Sequence, residues 1–302
     1  MAMPMLQLCL GIACASAGGW LLTSGLVGLG RRLELPHVLS GRTLLALATT
    51  IPVATIAAVA SAQRQTEFAV AFVLTTVVLN VLALLQSCLS TGSSPFAGPG
   101  GLAVACLFLL AAAGVWTLPA VSGAGESISA WGLLLVGAAY LFFDGLVKLH
   151  DRNVYSEVRS VLVENQSAPG SSAWAIGAET LLGGAAVAAG SVLVTAYAGV
   201  AEAGVRVPVE AAGAVAAAGV ALPGLVAGWR AIKDGVADIA MENTLGRVVL
   251  SMTLALGLAG AIWPSPVIAA QRWASVPIAA VALVACGISA VRARHAESWS
   301  LE

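Results

Sequence analysis

Runs of roughly twenty apolar residues follow one another along almost the whole of this chain, each about long enough to cross a bilayer as a helix. No water-soluble fold of 302 residues could bury so many of them, with 59% of the residues hydrophobic, 10% charged and a mean hydropathy of +0.93. The runs lack the two-residue alternation of a membrane barrel, so the fold class is an all-α polytopic membrane protein. Breaks at charged, proline-rich or Gly/Ser-rich stretches place helices near 6–29, 37–62, 67–90, 101–120, 127–148, 173–202, 208–232, 236–262 and 274–293. The first run ends in a small-residue pattern resembling a signal-peptidase site. It lacks a preceding basic residue and recurs internally, so it is read as a transmembrane helix.

Residues 149–172 mix both charge signs and end in a Pro/Gly/Ser turn, which makes them a cytoplasmic linker between transmembrane units 1–148 and 173–302. Basic residues orient the chain. With the N-terminus outside, Arg31, Arg32, Lys148, Arg152, Arg159, Arg230, Lys233, Arg292 and Arg294 fall on the cytoplasmic side, and Arg64, Arg206 and Arg272 outside. The expected location is the inner or plasma membrane, with the C-terminus cytoplasmic and lipid as the surrounding partner. A net charge of −1 offers nothing to nucleic acid. Cys9, Cys14, Cys88, Cys106 and Cys286 form no C-x-x-C pair and are read as packing residues. His37, His150 and His295 are spaced for no metal site, and no cofactor is expected.

The two units repeat one another. "AGGWLLTSGLVGLGRRLELP" (17–36) aligns without gaps on "AGSVLVTAYAGVAEAGVRVP" (189–208). At an offset of 171, "ATTIPV" (48–53) meets "GVALPG" (219–224), and "EFAVAFVLTTVVLN" (67–80) meets "DIAMENTLGRVVLS" (238–251). Five spans precede the second copy, so it enters from the opposite side: the repeats have inverted topology.

In these stretches the chain resembles the cation/calcium exchangers, the sodium/calcium antiporter superfamily. That family carries a G-T-S-x-P-E turn in one helix of each repeat and a G-N-x-x-G-S-N-x-x-N/D run in the next. "GRTLLALATTIPV" (41–53) keeps the first spacing, and "KDGVADIAMEN" (233–243) is similar to the family's K-G-x-A-D-L-A-V-G-N. The resemblance covers roughly residues 15 to 262. It implies an antiporter working by alternating access, with prolines at Pro52 and Pro223 that open their helices and expose carbonyl oxygens to an ion. Five helices per repeat would add a tenth span that the nine-helix reading lacks.

The implied ion site is incomplete. Val53 and Gly224 stand where the family has a glutamate after each proline, Val220 and Ala221 replace a Thr-Ser pair, and Arg247 replaces a serine. By motif position, Thr49, Thr50, Thr76 and Asn80 remain from the first repeat, and Asn243 and Ser251 from the second. Neutral oxygens facing a guanidinium do not suit Ca²⁺, which takes six to eight oxygens including carboxylates. Charges remain at Arg42, Glu242 and Arg247, and ionisable groups within a span point to function. An Arg42–Glu242 ion pair locking the bundle is the structural alternative. Asp144 and Glu179 read as snorkelling or capping groups, and Asp238 as a helix-start carboxylate.

The expected function is therefore transport of something other than Ca²⁺: a monovalent cation or proton, or a small polar metabolite. The alternative is a non-transporting scaffold, regulatory partner or lipid-phase enzyme on the same fold. No nucleophile–base pair, metal-ligand cluster or phosphate-binding loop supports an enzyme.

Overall fold

In hydrocarbon a backbone can satisfy its polar groups only internally, so each apolar run closes into a helix. The computed structural model describes residues 2–32, 44–90, 99–122, 125–150, 172–200, 208–233, 237–264 and 274–299. They form α1 (Ala2–Arg32), α2 (Leu44–Ala62), α3 (Thr66–Ser90), α4 (Pro99–Ser122), α5 (Glu126–His150), α6 (Ala173–Val200) and α7 (Val209–Lys233). Next comes α8, which starts as Ala237–Leu250, widens to a π-helical turn over Ser251–Ala255 and ends as Leu256–Ile262. The last is α9 (Ser275–Trp299). Among the described residues α1–α8 are each long and apolar enough to cross a membrane, and α9 adds a shorter apolar stretch, Ser275–Ile288. Arg42 and most of the expected linker lie outside the described residues. Ser172, the linker's last residue, caps α6 by accepting from the Ala175 N–H at 3.2 Å.

The inverted relation is written in the packing of α1 on α6. A methyl group on Gly11 would lie 2.9 Å from the Val194 nitrogen, one on Gly18 2.7 Å from Val187, and one on Gly25 2.8 Å from the Thr180 nitrogen. Partner numbers fall as α1 advances, so the helices run antiparallel with their backbones in close approach. The contacts also exchange under the repeat. A methyl on Gly183 would meet Leu22 at 2.5 Å, and one on Gly190 would meet Ala15 at 2.5 Å. At the offset of 172 that aligns 17–36 with 189–208, Gly183 matches Gly11 and Gly190 matches Gly18. The contacts of Gly11 and Gly18 thus appear twice, once from each repeat.

Between the α1–α6 pair and the outer helices lie α2, α3, α7 and α8, packed on one another, with α5 against α4 and α8, and α9 against α3 and α4. The two most enclosed spans are α8, with 72% of its apolar window buried, and α3, with 61%. Large apolar side chains point outward, as lipid rather than water demands: Trp174 is 88% exposed and Leu135 73%. Cys106 of α4 and Cys286 of α9 face each other as free thiols between packed helices.

Candidate functional site

The proline of α2 sits within a continuous helix, Leu44–Ala62, and Pro223 likewise lies inside α7, Val209–Lys233. This corrects the expectation that the prolines open their helices. Each ring removes one donor, leaving the Ala48 and Gly219 carbonyls without their i+4 N–H, but the surrounding turns hold. In α2 the neighbouring hydroxyls bond back to their own helix. Thr49 Oγ1 donates to the Leu45 carbonyl at 2.8 Å, Thr50 Oγ1 to Ala46 at 2.7 Å and Thr55 Oγ1 to Ile51 at 2.8 Å. These hydroxyl protons close on their own helix, which is the usual resting place for Ser/Thr hydroxyls in lipid. Pro52 is buried against α1, where a methyl on Gly19 would lie 2.9 Å from its Cγ.

Its counterpart in α7 has different surroundings. Pro223 is exposed, Val220 and Ala221 can donate no hydroxyl, and the next residue, Gly224, faces a charge. A methyl on Gly224 would lie 2.5 Å from Arg247 Nη1 and 3.2 Å from Cζ, so the guanidinium lies flush against the α7 backbone. The absent side chain at residue 224 and the large one at 247 are one arrangement: the guanidinium fills the space that a residue with a Cβ would claim. Arg247 is only 6% exposed, and among the described residues neither an acid nor a hydrogen-bond acceptor pairs with it.

On α8 the residues Asn243, Arg247 and Ser251 recur at four-residue spacing and so line one face. Ser251 opens the π-helical turn, and its carbonyl accepts from the Leu256 N–H. Turns of this kind recur at functional sites in helices, and the extra residue re-aims the side chains beyond it. On α3, Thr76 Oγ1 donates to the Phe72 carbonyl at 2.9 Å and Asn80 Nδ2 to the Thr76 carbonyl at 2.9 Å. On α3 and α8 two amide oxygens, Asn80 Oδ1 and Asn243 Oδ1, are buried with no hydrogen-bond partner.

Glu242 lies about 140° around the helix from Arg247, given 100° per residue, so the two do not share a face. It belongs to a second cluster. The Tyr140 hydroxyl of α5 is within electrostatic reach of both Asp144 and Glu242, and it approaches the α8 backbone where a methyl on Gly246 would be 3.4 Å away. Asp144 is 3% exposed, which corrects its reading as a snorkelling or capping group. Tyr140 escaped the sequence reading altogether. One available signal was its position one turn before Asp144, facing the same way.

These helices define a class: a polytopic membrane protein whose inverted repeats enclose a polar centre between α2, α3, α7 and α8. No family model matches the sequence, and no curated protein matches it. Solved structures do. The sodium-calcium exchanger NCX_Mj, soaked with 2.5 mM Na⁺ and 10 mM Sr²⁺, is similar with a TM-score of 0.60 and 18% identity, over 95% of this chain and 91% of that one. The same exchanger soaked with zero Na⁺ and Ca²⁺ gives 0.58 and 19%, over 95% and 90%. The H⁺/Ca²⁺ exchanger CAX gives 0.71 at 13% identity, over 96% of this chain and 80% of that one. The fold is that of the cation/calcium exchangers, as the sequence motifs implied.

Proposed function

We propose that this chain is a membrane transporter working by alternating access, with its N-terminus outside and a substrate other than Ca²⁺. The observation that carries the reading is the Arg247 guanidinium against Gly224. Two unit charges 4 Å apart repel by about 4 kcal/mol at an effective dielectric of 20, and a divalent ion beside the guanidinium doubles that. A Ca²⁺ ion there would also lack the carboxylates that normally replace its water. Candidate substrates are a monovalent cation or proton, routed through the Tyr140–Asp144–Glu242 cluster, or a small polar metabolite held at Arg247.

The unequal packing of the repeats supports transport. Pro52 is buried whereas Leu222, Pro223 and Val226 are exposed, so related helices hold unlike positions. Exchange of those positions between repeats is how inverted folds alternate access. The closed Thr49 and Thr50 hydroxyls favour a second reading, a non-transporting scaffold. Purified protein in proteoliposomes decides. We expect no Ca²⁺ uptake under an imposed Na⁺ or H⁺ gradient, and gradient-driven flux of a monovalent ion or metabolite that falls at least about tenfold in Glu242→Gln or Arg247→Gln. Ca²⁺ uptake by wild-type protein, or an absence of flux across the panel, overturns the proposal.

A further inference from the structure

A buried charge without a partner is among the costliest groups a protein can hold, and Arg247 is one: 6% exposed, with no acid or acceptor paired to it among the described residues. The acids nearest in sequence and space do not serve it. Glu242 points about 140° away around the helix, and Glu242 and Asp144 share the surroundings of Tyr140 on the side of α8 that faces α5. The guanidinium instead faces Gly224, beside an exposed Pro223 and the exposed edge of α7 at Leu222 and Val226. One turn before it on the same face, Asn243 Oδ1 is buried without a hydrogen-bond partner. A charge and an amide thus meet at one place, beside the exposed edge of α7.

We infer that Arg247 and Asn243 of α8, together with the α7 backbone at Gly224, form a binding site for a small monovalent oxoanion of the carboxylate or bicarbonate type. A guanidinium presents two parallel N–H donors at the spacing of two oxygens on one carbon. The Asn243 amide adds donors, and an acceptor for a hydroxyl-bearing anion such as bicarbonate. One fixed positive charge neutralises one negative charge, and the site offers no second cation to a dianion among the described residues. The bare backbone at Gly224 lets the guanidinium lie against α7. The transport reading enters only in naming this anion the substrate; the site itself does not depend on it.

The test is thermal melting of purified wild-type protein in detergent with Na⁺ constant and the anion exchanged among chloride, acetate, bicarbonate and sulfate, followed by titration calorimetry with the best of them. Acetate or bicarbonate at ten times its Kd should raise Tm by about 3–5 °C, while chloride and sulfate do not. Arg247→Gln should weaken binding at least about tenfold and Arg247→Lys less. Gly224→Ala, which puts a methyl group into the guanidinium's space and leaves the charge in place, should weaken it as well, so the site can be judged even if Arg247→Gln fails to fold. Equal stabilisation by chloride, no anion effect, or undiminished binding in Arg247→Gln overturns the inference. Anion binding without anion flux in proteoliposomes overturns the transport reading and leaves the site standing; flux of a cation without anion binding does the reverse.

Discussion

The two proline-bearing helices descend from one pattern and have reached opposite states. In α2, half of the apolar window is buried and Pro52 is sealed against Gly19, with three threonine hydroxyls stitched to the preceding turns. In α7, only 28% of the window is buried, Pro223 is exposed, and the polar group nearest the turn comes from another helix, as Arg247. The first repeat keeps neutral oxygens and ties them up locally; the second has none at the turn and imports a cation. A symmetric scaffold therefore does not impose a symmetric site, because helix packing constrains small residues at crossings and leaves the polar positions free to diverge.

The scaffold half of that comparison can be broken most violently at the α1–α6 crossing. Gly18→Leu and Gly190→Leu each drive a side chain into the opposing backbone and should cost about 3 kcal/mol or more. Because the sites exchange under the repeat, their melting temperatures in detergent should fall by similar amounts; a harmless change at either would contradict the close approach. The site half can be sharpened by returning acid and serine to the second repeat. Gly224→Glu combined with Arg247→Ser should make Tm depend on Ca²⁺, by about 2–3 kcal/mol at a hundred times Kd, where wild-type protein shows no dependence. Asn80→Leu removes an amide that makes one hydrogen bond and leaves its oxygen unmet. It should change stability by about 1 kcal/mol or less in chemical unfolding. Smallest of all, Thr50→Val deletes a hydroxyl bonded only to its own helix and should cost about 0.5 kcal/mol by the same measurement.

Much of the scaffold was legible because lipid imposes a length and a polarity on every span, and because the repeat fixes the direction of the second copy. Most helix bounds agree within a few residues, as with 67–90 against Thr66–Ser90 and 173–202 against Ala173–Val200, whereas the last helix runs on to Trp299, past the expected 293. The site was legible as a set of residues but not as an arrangement. Spacing alone could say that Asn243 and Arg247 share a face and Glu242 does not. It could not say that Arg247 meets Gly224, since that contact joins two helices. The π-helical turn at Ser251–Ala255 was also hidden, because one extra residue leaves a largely apolar segment looking unchanged. The opening at Pro52 and Pro223 was overestimated because one missing donor leaves the hydrogen bonds of the surrounding turns in place, and both helices run on unbroken.

The glycine seam between α1 and α6 has a further consequence. Two of the close approaches there are met again by their own mirror images, Gly11 on Val194 by Gly183 on Leu22, and Gly18 on Val187 by Gly190 on Ala15. A bulky change at Gly18 thus meets Val187, the repeat counterpart of Ala15, and one at Gly190 meets Ala15 itself. Likeness between the two repeats should persist longest along this line of bare backbone, where a side chain has no room to enter.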